Sequence, residues 1–122
     1  GMTDNPVPTV SVLSLSSLAD LSARMGMDLS IHRFRANFWI TGAQPWAELG
    51  WVEQRLQIGR AELEVVERIG RCVATGVNPE TGVPQGDTLA ALEDGFGHTD
   101  FGVFARVVSG GRVSVGDGWS LR

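Results

Sequence analysis

The stretch WVEQRLQIGRAELEVVERI, residues 51–69, decides how this chain folds. Its second half alternates: Leu63 and Val65 stand between Glu62 and Glu64, a period of two that puts apolar side chains on one face and carboxylates on the other. Gly59-Arg60 interrupts the run, so Trp51 to Ile58 and Ala61 to Ile69 are predicted to be the two arms of a β-hairpin. A lone hairpin is marginal in water and needs further strands or a helix to bury its apolar face.

Such elements lie on both sides. Upstream, Thr9 to Leu15 reads as a strand through Val10, Val12, Leu13 and Leu15. Ser16-Ser17 then opens a short helix, with Ser17 and Asp20 as a capping pair, Leu18, Leu21 and Met25 at helical spacing, and Gly26 as its stop. Arg33 to Thr41 is the next predicted strand, with Arg33, Arg35 and Asn37 on one face and Phe34, Ala36 and Phe38 on the other. Downstream, Asn78-Pro79-Glu80-Thr81-Gly82 is a turn. Asp87 or Thr88 caps a second short helix carrying Leu89 and Leu92 and ended by Gly95. Phe101 to Val108 and Arg112 to Val115 are predicted to form a last hairpin across Gly110-Gly111. Short strands and 16 glycines point to a mainly β fold, a closed or nearly closed β-barrel with two or so short helices. The 122 residues fit one domain, residues 9–122, behind a flexible N-terminus of residues 1–8 in which Gly1 reads as a cloning remnant.

Composition narrows the function. The formal net charge of −4 does not suit a general nucleic-acid binder, which needs cations to displace counterions from phosphates. No apolar run approaches the ~18 residues that span a bilayer, and no secretory signal opens the chain. A single cysteine allows no internal disulfide and fits a reducing, cytoplasmic setting. All ten basic residues are arginine, so a lysine Schiff base with pyridoxal phosphate is chemically excluded. Arginines are suited to bidentate recognition of phosphate or carboxylate.

Cys72 is the residue best placed for chemistry. Arg71 precedes it and a glycine-rich bend is close, both of which favour thiolate over thiol, and a thiolate is a soft metal ligand and a sulfur nucleophile. A buried, inert cysteine is the plainer reading. Arg35 and Asn37, two apart, pair a guanidinium with an amide as an anion clamp, against the alternative of a solvated strand face. Ser17 at a helix start could help hold a phosphate or be a plain N-cap. His32 and His98 have no metal-ligand spacing with Cys72, and the four tryptophans read as core or barrel-mouth packing.

Taken together, four segments resemble MOSC domains, the family named after the C-terminal domain of molybdenum cofactor sulfurase. Arg33-Phe34-Arg35-Ala36-Asn37 resembles the family's R-F-R-P-N strand, and residues 71–82, RCVATGVNPETG, resemble its R-C-x-x-T-T-V-[DN]-P-x-T-G segment. Phe101-Gly102-Val103-Phe104 is similar to the late F-G-x-Y strand, and Val115-Gly116-Asp117 to the closing V-G-D. The resemblance implies a β-barrel domain that binds the molybdenum cofactor or carries sulfur as a cysteine persulfide, as part of an oxidoreductase or a sulfur transferase. It makes Cys72 the molybdenum ligand or persulfide carrier. It gives the pterin phosphate to Arg35, Asn37 and Ser17, with Arg71 and Thr75 beside them. Ala36 stands where the family has proline, Gly76 where it has a second threonine, and Phe104 where it has tyrosine, which removes a hydroxyl donor. Relatives also carry an N-terminal β-barrel domain that lends residues to the pterin pocket. Its place would be taken by a companion domain, a redox partner or a second copy. A non-catalytic module that binds a small anion or a partner protein is the other reading.

Overall fold

The computed structural model describes residues 9–71 and 76–122. Its elements are β1 (Thr9–Ser14), α1 (Leu15–Met25), β2 (Phe38–Ile40), β3 (Arg55–Ile58), β4 (Ala61–Gly70), α2 (Thr88–Phe96), β5 (Asp100–Ser109) and β6 (Trp119–Leu121), with 3-10 turns at Ile31–Arg33 and Ala47–Gly50. The strands form one six-stranded sheet in the order β2-β1-β5-β4-β3-β6. Its pairs are antiparallel except β1 with β2.

The predicted hairpin is β3–β4, with Ile58 opposite Ala61 across Gly59-Arg60. Gly59 is required there: it has φ +55°, and a Cβ would sit 2.6 Å from Asp117 Oδ2 and 2.9 Å from the Arg112 carbonyl. The first arm is shorter than predicted because Glu53 takes φ 74° and turns the chain before Arg55.

The β4–β5 ladder breaks register at Glu62/Leu63, Val65/Glu67 and Arg68/Gly70, and such bulges add bend and twist. The sheet curls until its two edges approach, where the Trp119 indole N–H donates to the Thr41 carbonyl at 2.7 Å and the Trp51 and Trp119 rings lie 4.9 Å apart. No β2–β6 pairing is present among the described residues, so the expected barrel is a curled half-barrel rather than a closed one. Both edge strands are only three residues long, too short to zip the seam.

Adjacent residues of β1 serve opposite faces. Val12 joins Ile40, Leu56, Leu63, Val65 and Val103 inside the curl. Leu13 joins Leu18, Leu21, Leu92 and Phe101 beneath the two helices. Fully burying a leucine or phenylalanine is worth about 1.5–3 kcal/mol, so these two layers carry the fold.

Four boundaries differ from the sequence reading. Helix α1 is capped by Ser14, whose hydroxyl accepts the Ser17 N–H at 3.3 Å, so Ser17 is the third residue of the helix rather than its cap. Helix α2 is capped by Asp87 as predicted but runs through Gly95 to a left-handed Gly97. Residues 112–115 are not a strand, because the Arg112 carbonyl is drawn to the Arg60 N–H of the hairpin turn and the sixth strand forms later, at Trp119–Leu121. Only Phe38–Ile40 of the predicted Arg33–Thr41 strand pairs in the sheet, for a reason found in Asn37.

Candidate functional site

Asn37 replaces a strand ladder with its own side chain. Its Oδ1 accepts the Ser11 N–H at 2.8 Å and the Ser11 hydroxyl at 3.2 Å, while its backbone N–H donates to the Ser11 hydroxyl at 2.9 Å. This pins residues 34–37 to β1 as an irregular run. The carboxamide oxygen is used and the NH2 group has no acceptor among the described residues. Arg35, exposed two residues earlier, has no hydrogen-bond or ion-pair partner among them either. Both side chains line one open hollow of about 640 Å³ together with Ser11, His32, Phe34 and Trp39. The structure therefore brings Arg35 and Asn37 together at a concave, donor-rich wall suited to an anion.

Arg33 does not share that wall. It is buried, donates to the Gln85 carbonyl at 2.6 Å and to Gln85 Oε1 at 3.3 Å, and so ties this segment to the loop at residues 76–86. That loop holds the predicted turn: the Glu80 N–H donates to Asn78 Oδ1 at 2.9 Å and the Gly82 N–H to the Asn78 carbonyl at 2.8 Å.

Cys72 and Thr75 lie outside the described residues. Arg71, just before them, is held firmly. Its Nε and Nη2 donate to the Phe101 carbonyl at 3.0 and 2.7 Å, and its guanidinium lies 5.1 Å from the Phe34 ring centroid. Phe34 in turn stacks on Phe101 with centroids 4.4 Å apart and planes 8° from parallel. Three of the four motif segments thus meet at Arg71, Phe34 and Phe101. The fourth, Val115-Gly116-Asp117, forms an exposed turn in which Asp117 Oδ2 accepts the Ser114 N–H at 2.8 Å.

Ser17 is elsewhere. It is fully buried, its hydroxyl donating to Glu48 Oε2 at 2.6 Å and accepting the Trp46 N–H at 2.8 Å. Burial pushes the Glu48 carboxyl above the ordinary carboxylate range, and the Ser17 hydrogen bond offsets part of that. Glu48 Oε1 has no partner among the described residues. Close by, Asp20 accepts from Arg24 Nε at 2.8 Å and from the Trp46 indole at 2.6 Å, and these two bonds hold its carboxyl below the usual range. The Ser17 hydroxyl is thus spent inside the protein.

Two residues of this geometry were missed in the sequence. Trp39 lines the hollow, where its indole N–H has no acceptor among the described residues, although tryptophan alone signals only packing. Glu48 in a loop carries no sign of burial. No group of three or more His, Cys, Asp or Glu that could hold a metal occurs among the described residues.

The model of the MOSC domain matches residues 4–119. The chain belongs to the MOSC domain family. Over 74 residues it is 42% identical to mitochondrial amidoxime reducing component 2 of Bos taurus, covering 61% of this chain and 21% of that protein. Over 72 residues it is 43% identical to mitochondrial amidoxime-reducing component 1 of Homo sapiens, covering 59% and 21%. Molybdenum cofactor sulfurase of Danio rerio is 35% identical over 75 residues, 61% of this chain and 9% of that one. The MOSC domain described here thus spans about one-fifth or less of the length of these relatives. In shape it is similar to YiiM from Geobacillus stearothermophilus, with a TM-score of 0.63 at 16% identity, over 93% of this chain and 53% of that one. Among the described residues no helix is long and apolar enough to cross a membrane.

Proposed function

We propose that this MOSC domain binds a phosphate-bearing pterin cofactor of the molybdopterin type, in a reducing compartment such as the cytoplasm, and serves molybdenum-cofactor redox or sulfur-transfer chemistry. The observation that carries the reading is the hollow at residues 31–39, where the guanidinium of Arg35 and the NH2 of Asn37 have no partner among the described residues. Donors held open on a concave wall fit an anionic tail, and a charge-assisted hydrogen bond there is worth about 1.5–3 kcal/mol. When bound, such a cofactor supplies two-electron redox chemistry at its metal. Cys72 is the proposed soft ligand or persulfide carrier, a role that rests on the family motif and on the mitochondrial amidoxime-reducing and cofactor-sulfurase relatives. Arg71, next to Cys72 in the sequence, serves by tying the end of β4 to β5, since its Nε and Nη2 donate to the Phe101 carbonyl.

The test is molybdenum and pterin content, with sulfur loading by intact-mass measurement, for protein made in a host that supplies the cofactor. Wild type is expected to carry one or the other. Cys72→Ala is expected to lose metal or persulfide while folding normally. Unchanged loading in Cys72→Ala rejects the role of the sulfur.

One observation favours a second reading, a module that binds an anion without catalysing a reaction. The described groups around the hollow are mostly hydrogen-bond donors, and Phe104 offers no hydroxyl. Anion binding without metal or persulfide would select it.

A further inference from the structure

Most of the ten arginines are engaged within the protein. Arg24, Arg55, Arg68 and Arg106 stand in ion pairs, and Arg33, Arg71 and Arg122 donate to carbonyl or amide oxygens. Besides Arg35, Arg60 and Arg112 keep guanidinium groups with no hydrogen-bond or ion-pair partner among the described residues. Though far apart in sequence, these two are neighbours. The turn of the β3–β4 hairpin and the segment at residues 110–118 pack backbone against backbone, with the Arg60 N–H donating to the Arg112 carbonyl and the Gly59 N–H to the Gly118 carbonyl, both at 3.1 Å. Gly111 permits the approach, since a Cβ there would stand 2.4 Å from the Arg60 carbonyl oxygen. Between the two turns lies a hollow of about 340 Å³, walled by Arg60, Arg112, Ser114 and Asp117 with Gly59 and Gly118. The Ser114 hydroxyl has no partner among the described residues either. Asp117 Oδ2 accepts the Ser114 N–H at 2.8 Å, and the carboxylate pairs with neither arginine. Two like charges side by side repel, yet in a chain of net charge −4 no acidic side chain among the described residues is paired with them.

We propose that this hollow is a second anion site, separate from the one at Arg35 and Asn37, and that it takes a tetrahedral oxyanion such as a phosphoryl group. Each guanidinium fork is filled by two acceptor oxygens. A carboxylate has only two and serves one fork, whereas a phosphate has oxygens for both forks and for the Ser114 hydroxyl. The hollow exceeds a phosphate ion in size and has room for the rest of a small phosphate ester. The inference does not depend on reading Arg35 and Asn37 as an anion site.

The test is a titration of the full chain with phosphate at constant ionic strength, followed at the arginine Nε–H signals by nitrogen-15 NMR. The Arg60 and Arg112 signals are expected to shift together and saturate on one curve, and that curve is expected to be unchanged in Arg35→Gln. The bond between the two turns uses the Arg60 backbone, so Arg60→Gln keeps it. That variant is expected to weaken binding at Arg112 about tenfold or more. Acetate is expected to give no saturable shift. Methyl phosphate binding as tightly as phosphate would assign the site to the phosphoryl group of a larger molecule, and binding of inorganic phosphate alone would assign it to the free ion. Shifts that rise without saturation, that acetate reproduces, or that persist undiminished at Arg112 in Arg60→Gln overturn the site. Loss of the Arg60 and Arg112 curve in Arg35→Gln overturns its separateness.

Discussion

Two polar clusters are anchored on adjoining elements, one on Ser11 of β1 and one on Ser17 of α1, and they are built from similar material. Around Ser17, the buried hydroxyl is shared between Glu48 Oε2 and the half-buried Trp46 N–H, and only the second Glu48 oxygen lacks a partner among the described residues. Around Arg35 and Asn37, the Ser11 contacts consume only the carboxamide oxygen, and the remaining donors open on a hollow. The difference is where each group's hydrogen bonds end. A buried polar group must be paired inside or it destabilises the fold, whereas an exposed donor can wait for a ligand. The first cluster therefore holds the fold and the second is free to bind.

The largest effect expected from breaking this contrast lies in the closed cluster. Ser17→Val strips the Glu48 carboxyl and the Trp46 N–H of their shared partner. The cost is about 1–3 kcal/mol for the buried Glu48 carboxyl and less for the half-buried Trp46 N–H, read by urea denaturation, with phosphate affinity unchanged. Arg35→Gln is the mirror image. It should weaken phosphate binding about tenfold and shift stability by no more than about 0.5 kcal/mol. Asn37→Ala falls between, losing both the Ser11 contacts and a ligand donor, and should lower stability by about 1 kcal/mol together with affinity. A matching loss of stability and of binding in all three variants would erase the distinction.

The pH dependence sharpens it further. The folded Glu48 carboxyl titrates above its unfolded value, so the folded state holds its proton longer. Its contribution is therefore most favourable below the ordinary carboxylate range, and stability falls as pH rises from that range toward the folded pKa. Asp20, whose pKa is lowered, contributes with the opposite sign: its stabilisation is present above the ordinary range and is lost as pH falls through the folded value. Glu48→Gln should remove the loss at rising pH, so that the melting temperature near neutrality exceeds that of wild type. An unchanged pH profile would contradict the burial of the ionisable carboxyl.

Much of this architecture was legible in the sequence. Alternation at Glu62–Val65 and the break at Gly59-Arg60 located the β3–β4 hairpin, and Asp87 marked the start of α2. Arg35 and Asn37 were legible as a pair because their spacing puts them on one side of the chain, although the segment is not a strand. What hid the rest was contact at long range. Ser11, 26 positions from Asn37, decides that residues 34–37 stay irregular. Ser17 is claimed by Glu48, 31 positions away, which turns a sequence-level candidate for ligand binding into an internal strut. Gly95 offers a helix stop that α2 passes over, packing against the Arg24 side chain. The half-barrel seam likewise depends on how far the β4–β5 bulges curl the sheet, which no local pattern records.

The most direct measurement is a nitrogen-15 NMR titration of the folded chain with inorganic phosphate. The account predicts saturable shifts of the Asn37 side-chain NH2, the Arg35 Nε–H and the Trp39 indole N–H, with the Ser17 and Trp46 backbone signals unmoved. Shifts centred on Ser17 and Trp46, or none at Arg35 and Asn37, would contradict it.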